Sequence, residues 1–361
     1  MTGRLLQKDN LFKELLVRWL AAATVLLSTV SSYPQEKRAA EIDSLLQASV
    51  HCTINQEYGR ALAAIDRAIA LAPNHPLGHL FRAATLQSIM LDYEDSSEEK
   101  EFYKSLRKCR ELAEKQLRQH PNDAAAHFFL GSAYGYESFY VSKHRRYLEA
   151  FHHGVKTIRH LEAAIRLDPT LYDAYLGIGS YKYYRSKLSK KLPVPLFSDE
   201  REAGIRMIRQ AVAHGQYARY AAINGLTWIL LEEARPEEAF ALADSALRQF
   251  PNSRFFLWGA AESAVRLGRH EQALDYYRQI MTTLQQEKKL SPYLEAVCRT
   301  KMARVSFQAG QTEAGCNELA RASQLRVPRD DWHKDIKKEI EGLKLQCLSP
   351  AAASNGHSTA H

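Results

Sequence analysis

The chain has 361 residues, of which 45% are hydrophobic and 25% charged, values typical of a globular protein with room for one large or two ordinary domains. Its 17 Gly and 12 Pro are too few for a low-complexity chain. A formal net charge of +8 over this length favours acidic partners only weakly, so we do not expect nucleic-acid binding.

The first part of the chain has the pattern of a secretion signal. A charge-free run from Trp19 to Val30 follows a basic start and precedes Ser31, Ser32 and Pro34. This run is too short to span about 30 Å of hydrocarbon as a helix. We therefore expect residues 1–32 to be a signal peptide and the mature protein to be exported, in the periplasm or at the cell envelope. Two alternatives stay open, an uncleaved anchor in the inner membrane and a buried amphipathic helix.

Removal of residues 1–32, which carry four basic and two acidic residues, lowers the net charge from +8 to +6. Five cysteines follow this segment: Cys52, Cys109, Cys298, Cys316 and Cys347. An odd, scattered set without a CxxC motif does not predict a disulfide framework. We expect Cys52 and Cys109 to be small buried residues.

Prolines mark the ends of successive helical patterns. "ALAAIDRAIALAP" ends at Pro73, and similar runs end at Pro121, Pro169 and Pro251. A segment rich in small residues follows each of the middle two, such as AAAHFFLGSAYGY after Pro121. Because proline cannot continue a helix, this spacing predicts helical hairpins joined in tandem.

The pattern resembles the tetratricopeptide repeat, a 34-residue helix–turn–helix with small and large residues at set positions. The first unit matches it at Ala61, Ile65, Ala68 and Pro73. Several other units match in the same phase, at Leu130, Gly131, Tyr134, Ala239, Ala246, Ala260, Ala273 and Tyr277 among other positions.

The resemblance implies an all-α fold, an α-solenoid of about seven hairpins with a C-terminal capping helix. The expected order is a signal peptide or anchor at 1–32, a linker at 33–41, a solenoid at 42–325, a capping helix at 330–347 and a disordered tail at 348–361. The units lie near 42–75, 76–123, 124–171, 172–219, 220–253, 254–295 and 296–329. Trp332, Ile336, Ile340 and Leu343 give the capping helix its apolar face.

The sequence Gly177-x-Gly179 raises the question of a phosphate-binding loop. No strand precedes it and no third glycine follows, so a nucleotide fingerprint is not supported. We expect both glycines to lie inside a helix, where they let a neighbouring helix approach.

Catalytic patterns are incomplete throughout the chain. HEQAL at 270–274 lacks the second His of a zinc protease helix, and GSAYG has Ala133 where a nucleophile elbow needs Ser. His152, His153 and His160 have no Cys or carboxylate at ligand spacing. We therefore expect no enzyme activity, no cofactor and no metal site.

The resemblance also implies a concave groove lined by the first helix of each unit. Its expected lining is aromatic with a few polar groups, and it fits a peptide or partner helix. The groove residues are Phe128, Tyr136, Tyr183, Tyr184, Asn224, Trp228, Trp258, Glu262 and Arg266. We expect a protein-interaction scaffold, although folding of the longer second to fourth hairpins over this face would place the aromatics in the core.

A second candidate surface is basic. It consists of Lys143, Arg145, Arg146, Arg185, Lys187, Lys190 and Lys191, which fall at the ends of adjacent hairpins. Anionic lipid, a cell-envelope polymer or an acidic partner would suit it, and ordinary solvated loops are the alternative. A membrane-associated protein that is held by an uncleaved N-terminal segment is therefore the second functional hypothesis.

Overall fold

The computed structural model describes residues 36–189, 198–328 and 336–348. Within these ranges the regular structure is helical, without strands, which confirms the predicted all-α solenoid of hairpins. The predicted signal peptide, Lys190, Lys191, Trp332 and the predicted tail beyond Leu348 lie outside the described residues.

The helices follow one another with short connections, as expected for stacked hairpins. They are α1 (36–54), α2 (Tyr58–Leu71), α3 (Pro76–Tyr93), α4 (Glu99–Gln119), α5 (Ala124–Lys143), α6 (Tyr147–Leu167), α7 (Tyr172–Ser189), α8 (Arg201–His214), α9 (Arg219–Glu232), α10 (Pro236–Leu247), α11 (Arg254–Arg266), α12 (His270–Gln286), α13 (Pro292–Gln308), α14 (Thr312–Ser323) and α15 (Ile336–Lys344). Residues 36–41 form the first turns of α1, so the prediction of a linker there was wrong.

Local side chains define several helix ends. Asp123 accepts a hydrogen bond from the Ala126 N–H at 3.0 Å and caps α5, and Ser291 caps α13 in the same way at 3.2 Å. Gly268 and Gly310 have φ values of 68° and 74°, and they follow the ends of α11 and α13. Glycine adopts this left-handed conformation without a steric cost, which explains the sharp turn into the next helix.

The Gly177-x-Gly179 pair lies inside α7, as predicted. A Cβ atom added to Gly179 would lie 2.5 Å from the carbonyl oxygen of Gly204 in α8, and one added to Gly204 would lie equally close to the Gly179 carbonyl. The backbones of α7 and α8 therefore touch at a point where a side chain does not fit. These glycines serve helix packing.

We expect Gly179→Ala to lower the free energy of unfolding by about 1–3 kcal/mol, because an overpacked site forces the two backbones apart. Gly59→Ala in α2 is the matched control, since an added Cβ there has nothing within 4 Å. This control should be neutral or stabilise by up to about 1 kcal/mol, because alanine favours helix. Circular dichroism recorded during heating gives the melting temperatures of the two variants and distinguishes them. Equal melting temperatures for the two variants would contradict the close approach of α7 and α8.

The solenoid turns back on itself, so that the N-terminal hairpins contact α9–α12. Ile54 at the end of α1 belongs to the same hydrophobic core as Phe256 and Leu257 of α11. The Phe81 ring of α3 meets the Tyr217 ring edge to face, with centroids 4.9 Å apart. The sequence predicted tandem hairpins but gave no indication of this closure.

A buried arginine holds the closure through ion pairs. Arg254 is 1% exposed, and its Nε and Nη2 atoms donate to Asp92 of α3 at 2.9 and 2.6 Å. The same guanidinium donates to both carboxylate oxygens of Glu287 at 2.8 and 2.7 Å. Tyr58 donates to Asp92 at 3.0 Å and Tyr93 to Glu287 at 3.2 Å. We call this group of five residues the clasp.

Two backbone contacts complete the same junction. The Ser253 hydroxyl donates to the Ile54 carbonyl at 2.7 Å, and the Arg254 N–H donates to the Gln56 side chain at 3.2 Å. These bonds satisfy polar groups at the end of α1 and the start of α11 that burial would otherwise leave unpaired.

Arg254→Ala should lower the free energy of unfolding by about 3–5 kcal/mol, because it leaves the nearly buried Asp92 carboxylate without its charge partner. The control is Arg248→Ala, which removes an exposed pair with Asp244 and should cost less than about 1 kcal/mol. Urea unfolding measures both. Comparable losses in the two variants would show that the clasp is not a buried ion-pair network.

The C-terminal end of the solenoid is covered by α15. Ile336 and Ile340 are buried against the last hairpin, which agrees with the predicted capping role. A disulfide joins Cys316 of α14 to Cys347 in the turn after α15. The cysteine pattern did not indicate this single pair, because its members are 31 residues apart in sequence and meet only where α15 folds back. Cys109 is buried as predicted, whereas Cys52 is only half-buried.

Candidate partner-binding groove

The inner helix of the fifth hairpin, α9, presents one polar and aromatic stripe. Asn224, Trp228 and Glu232 recur every four residues and share one face of the helix. The other faces of α9 are buried, with Leu226 and Leu230 inaccessible to solvent. Because the apolar faces are used for packing, this stripe is the part of α9 that remains for contacts with another molecule.

Two aromatic rings of the predicted groove are accessible. Tyr184 of α7 is 48% exposed and Trp228 of α9 is 37% exposed. Asn224 lies one helical turn before Trp228 and is half-buried. Its Oδ1 atom is buried and has no hydrogen-bond partner among the described residues. A buried acceptor without a donor is costly, so the Asn224 side chain is a polar group whose packing the described contacts leave unsatisfied.

Tyr183 was predicted to line the groove, and the structure shows that this was wrong. The side chain is fully buried and packs against Ile205 and Leu226. Its hydroxyl lies within hydrogen-bond distance of two carboxylates, Glu232 at 3.1 Å and Glu233 at 2.9 Å, and can donate to either one. Burial together with these carboxylates raises the pKa of Tyr183. Adjacent residues of a helix point in different directions, so Tyr183 and Tyr184 do not share a surface.

Phe128 and Tyr136 of α5 are half-buried and form part of the packing. Both contact the hydrophobic core that α3, α4 and α5 build together. The Tyr136 carbonyl accepts a hydrogen bond from Gln87 at 3.0 Å, and burial raises the pKa of the Tyr136 hydroxyl to about 12. Phe128 and Tyr136 therefore agree with the alternative in which aromatic side chains of the predicted groove pack into the core, although both remain partly accessible.

The end of the groove on α11 is charged. Glu262 is half-buried and accepts from Lys301 of α13 at 3.2 Å. Burial by itself would raise the pKa of Glu262, but Lys301 and Arg266 more than offset it, so the net pKa is lowered and the carboxylate is ionised at neutral pH. Trp258 is half-buried with its ring centroid 6.0 Å from that of Tyr277, whereas Arg266 is exposed.

No family model matches the sequence. Among solved structures, a chain of the APC/C hetero-tetramer Cut9–Hcn1 is similar with a TM-score of 0.53 at 13% identity, over 87% of this chain and 53% of that one. TTC0263, a thermophilic tetratricopeptide-repeat protein of Thermus thermophilus, is similar with a TM-score of 0.40 at 18% identity, over 62% of this chain and 99% of that one. PilW, a type IV pilus biogenesis factor, is similar with a TM-score of 0.44 at 14% identity, over 66% of this chain and 91% of that one.

The chain has the tetratricopeptide-repeat fold. At these identities the similarity establishes the architecture alone. The described helices show no segment that is both long and apolar enough to cross a membrane. The described residues also contain no group of three or more His, Cys, Asp or Glu side chains placed to hold a metal ion.

Most of the predicted basic surface lies beside carboxylates at the turns of this tetratricopeptide-repeat solenoid. Lys143 pairs with Glu94 at 2.8 Å, Arg146 with Glu149, Arg185 with Glu200 and Lys187 with Glu232. Arg145 is exposed. Since four of these cations are compensated by neighbouring carboxylates, their role as a lipid- or polymer-binding surface stays a prediction.

The clasp and the disulfide are what the sequence reasoning missed. Arg254 and Asp92 are 162 residues apart, and no pattern within one repeat links them. Arg254 is the first residue of α11, but α8 and α9 also begin with an arginine, so its position gave no local signal of a long-range partner.

Proposed function

We propose that the protein is a non-catalytic scaffold outside the cytoplasm, which binds a segment of a partner protein along Tyr184, Asn224 and Trp228. The two exposed aromatic rings of Tyr184 and Trp228, which lie on the contacting helices α7 and α9, carry this proposal. We call these three residues the groove site.

The residue types of the groove site suit a protein segment. Large aromatic rings dominate binding hot spots because they bury much surface with few rotatable bonds. Rotation of the partly exposed Asn224 side chain would let its amide bond the backbone of the partner, and this bond would fix the register of the bound segment. The rigid helices α7 and α9 hold both rings before binding, which reduces the entropic cost of association.

The charged end of the groove would orient the segment. Glu262 and Arg266 offer one charge of each sign within reach of a chain that runs past Trp258. Charges at the rim of an interface contribute more to specificity and association rate than to affinity. The similar chain from the APC/C hetero-tetramer Cut9–Hcn1 is part of a protein assembly, which agrees with a protein partner.

Trp228→Ala and Tyr184→Ala should each weaken partner capture about 10–100-fold, as expected for hot-spot truncations. Their melting temperatures should stay close to that of the wild-type protein because both rings are accessible. A photo-crosslinking amino acid at position 228 provides the direct readout, and the same group at the exposed Leu345 is the matched control. A crosslinked species should form at 228 and not at 345.

Equal crosslinking from both positions, or undiminished capture by Trp228→Ala, would contradict the groove site. Loss of the fold in Trp228→Ala would show that the ring is structural. Tyr184→Ala, on a different helix, then decides whether capture depends on this surface.

The location outside the cytoplasm rests on two independent observations. The N-terminal sequence has the secretion pattern, and a disulfide joins Cys316 and Cys347. Structural disulfides persist in oxidising compartments and are rare where thiols are kept reduced.

We expect peptide mapping of the protein from fractionated cells, with free thiols blocked at lysis, to find the Cys316–Cys347 linkage in a periplasmic form that lacks about 32 residues. Cys109 and Cys298, which are fully buried, should be recovered as thiols and serve as the internal control. A full-length cytoplasmic protein with Cys316 and Cys347 reduced would contradict the proposed location.

A further inference from the structure

The turn between α5 and α6 exposes a group of large apolar side chains. Leu148 is 90% exposed, Tyr147 66%, Phe139 54% and Phe151 46%. Single exposed apolar residues are ordinary, but a cluster of one leucine and three aromatics at one turn is not. We call these four residues the tip.

The tip projects because of how α6 begins. Tyr147 is the first residue of α6, and Leu148 and Phe151 are three residues apart on its outward face. The opposite face packs through Ala150, Gly154 and Leu161. No described residue covers Leu148, since only a tenth of its surface is lost to contacts.

Basic residues outnumber acidic residues in the segment that carries the tip. Residues 143–160 contain five basic residues (Lys143, Arg145, Arg146, Lys156 and Arg159) and a single acidic one, Glu149. Lys143 and Arg146 pair with Glu94 and Glu149, whereas Arg145 and Arg159 are exposed. The apolar side chains are therefore flanked by a local excess of positive charge.

We infer that the tip inserts into the interface of an anionic lipid bilayer. Leu148 and Phe151 would enter the boundary between headgroups and acyl chains, and Tyr147 would lie at headgroup depth, which aromatic rings with a polar end favour. Arg145 and Arg159 would contact lipid phosphates, as basic residues beside an inserted apolar face do.

The shape and chemistry favour a membrane over a second protein. The apolar side chains lie on both sides of a hairpin turn and are largely exposed, as a surface that inserts into a bilayer requires. Basic residues on both sides suit an extended anionic surface. One such tip gives reversible attachment, because its apolar area is far smaller than that of a membrane-spanning helix.

The inference is independent of the groove site. The tip lies on the turn and outer face of the third hairpin, whereas Asn224 and Trp228 lie on α9 of the fifth. A variant that loses lipid binding should still capture the protein partner, and Trp228→Ala should still bind lipid.

Flotation with vesicles tests the inference on the full chain. The probes are vesicles of phosphatidylcholine mixed with phosphatidylglycerol and vesicles of phosphatidylcholine alone. The double variant Leu148→Ser, Phe151→Ser should bind the mixed vesicles at least tenfold more weakly than the wild-type protein. The matched control, Leu345→Ser with Leu348→Ser, changes two exposed leucines far along the chain and should bind as the wild type does. The flotation is repeated with protein that lacks residues 1–32, so that the apolar N-terminal run cannot hide a loss of binding at the tip.

A depth measurement supports the same comparison. Leu148→Trp should gain fluorescence quenching from lipids brominated near the headgroup, and Leu345→Trp should not. Arg145→Glu should weaken binding in low salt and have less effect in high salt. Equal vesicle binding by the wild type and the Leu148→Ser, Phe151→Ser variant would overturn the inference. The inference would also be overturned if the wild-type protein bound both kinds of vesicle equally well, or bound neither. A protein would then be the partner that the tip contacts.

Discussion

No helical hairpin of this chain can bury its apolar face alone, and the rest of the structure depends on that constraint. Each hairpin packs against the next, which produces one continuous helical stack. Small residues determine how closely neighbouring helices approach. Gly179 and Gly204 are the example, because the backbones of α7 and α8 touch there. The same need for burial acts on the first hairpins, which pack against α9–α12 and place Arg254 between Asp92 and Glu287.

Packing of the solenoid buries most apolar side chains of the described helices, including Tyr183. The accessible side chains include a polar and aromatic stripe on α9 with Tyr184 beside it, and a set of apolar residues on both sides of the α5–α6 turn. These two surfaces differ in shape and charge. We therefore assign them to two kinds of partner, a protein segment and an anionic membrane.

Local features of the sequence predicted the hairpins well, because proline joints and small residues act within one repeat. They predicted that Gly177 and Gly179 lie inside a helix, and that Ile336 and Ile340 cap the last hairpin. They did not separate Tyr183 from Tyr184, since neighbouring positions of a helix differ in burial only once the packing partners are known. The clasp and the Cys316–Cys347 disulfide join residues that are distant in sequence, and repeat periodicity carries no information about such pairs. The exposure of Leu148 could not be predicted either, because the sequence pattern of an amphipathic helix is the same whether or not another element covers its apolar face.

The most direct test of the closed solenoid is the distance between the first and sixth hairpins in solution. Spin labels carried by non-natural amino acids at positions 55 and 252, both exposed beside the contact of Ile54 with Ser253, report it without labelling the native cysteines. Pulsed electron resonance should give one short, narrow distance distribution, and Arg254→Ala should broaden it. A long or broad distribution in the wild-type protein would show that the solenoid is open and would contradict the account.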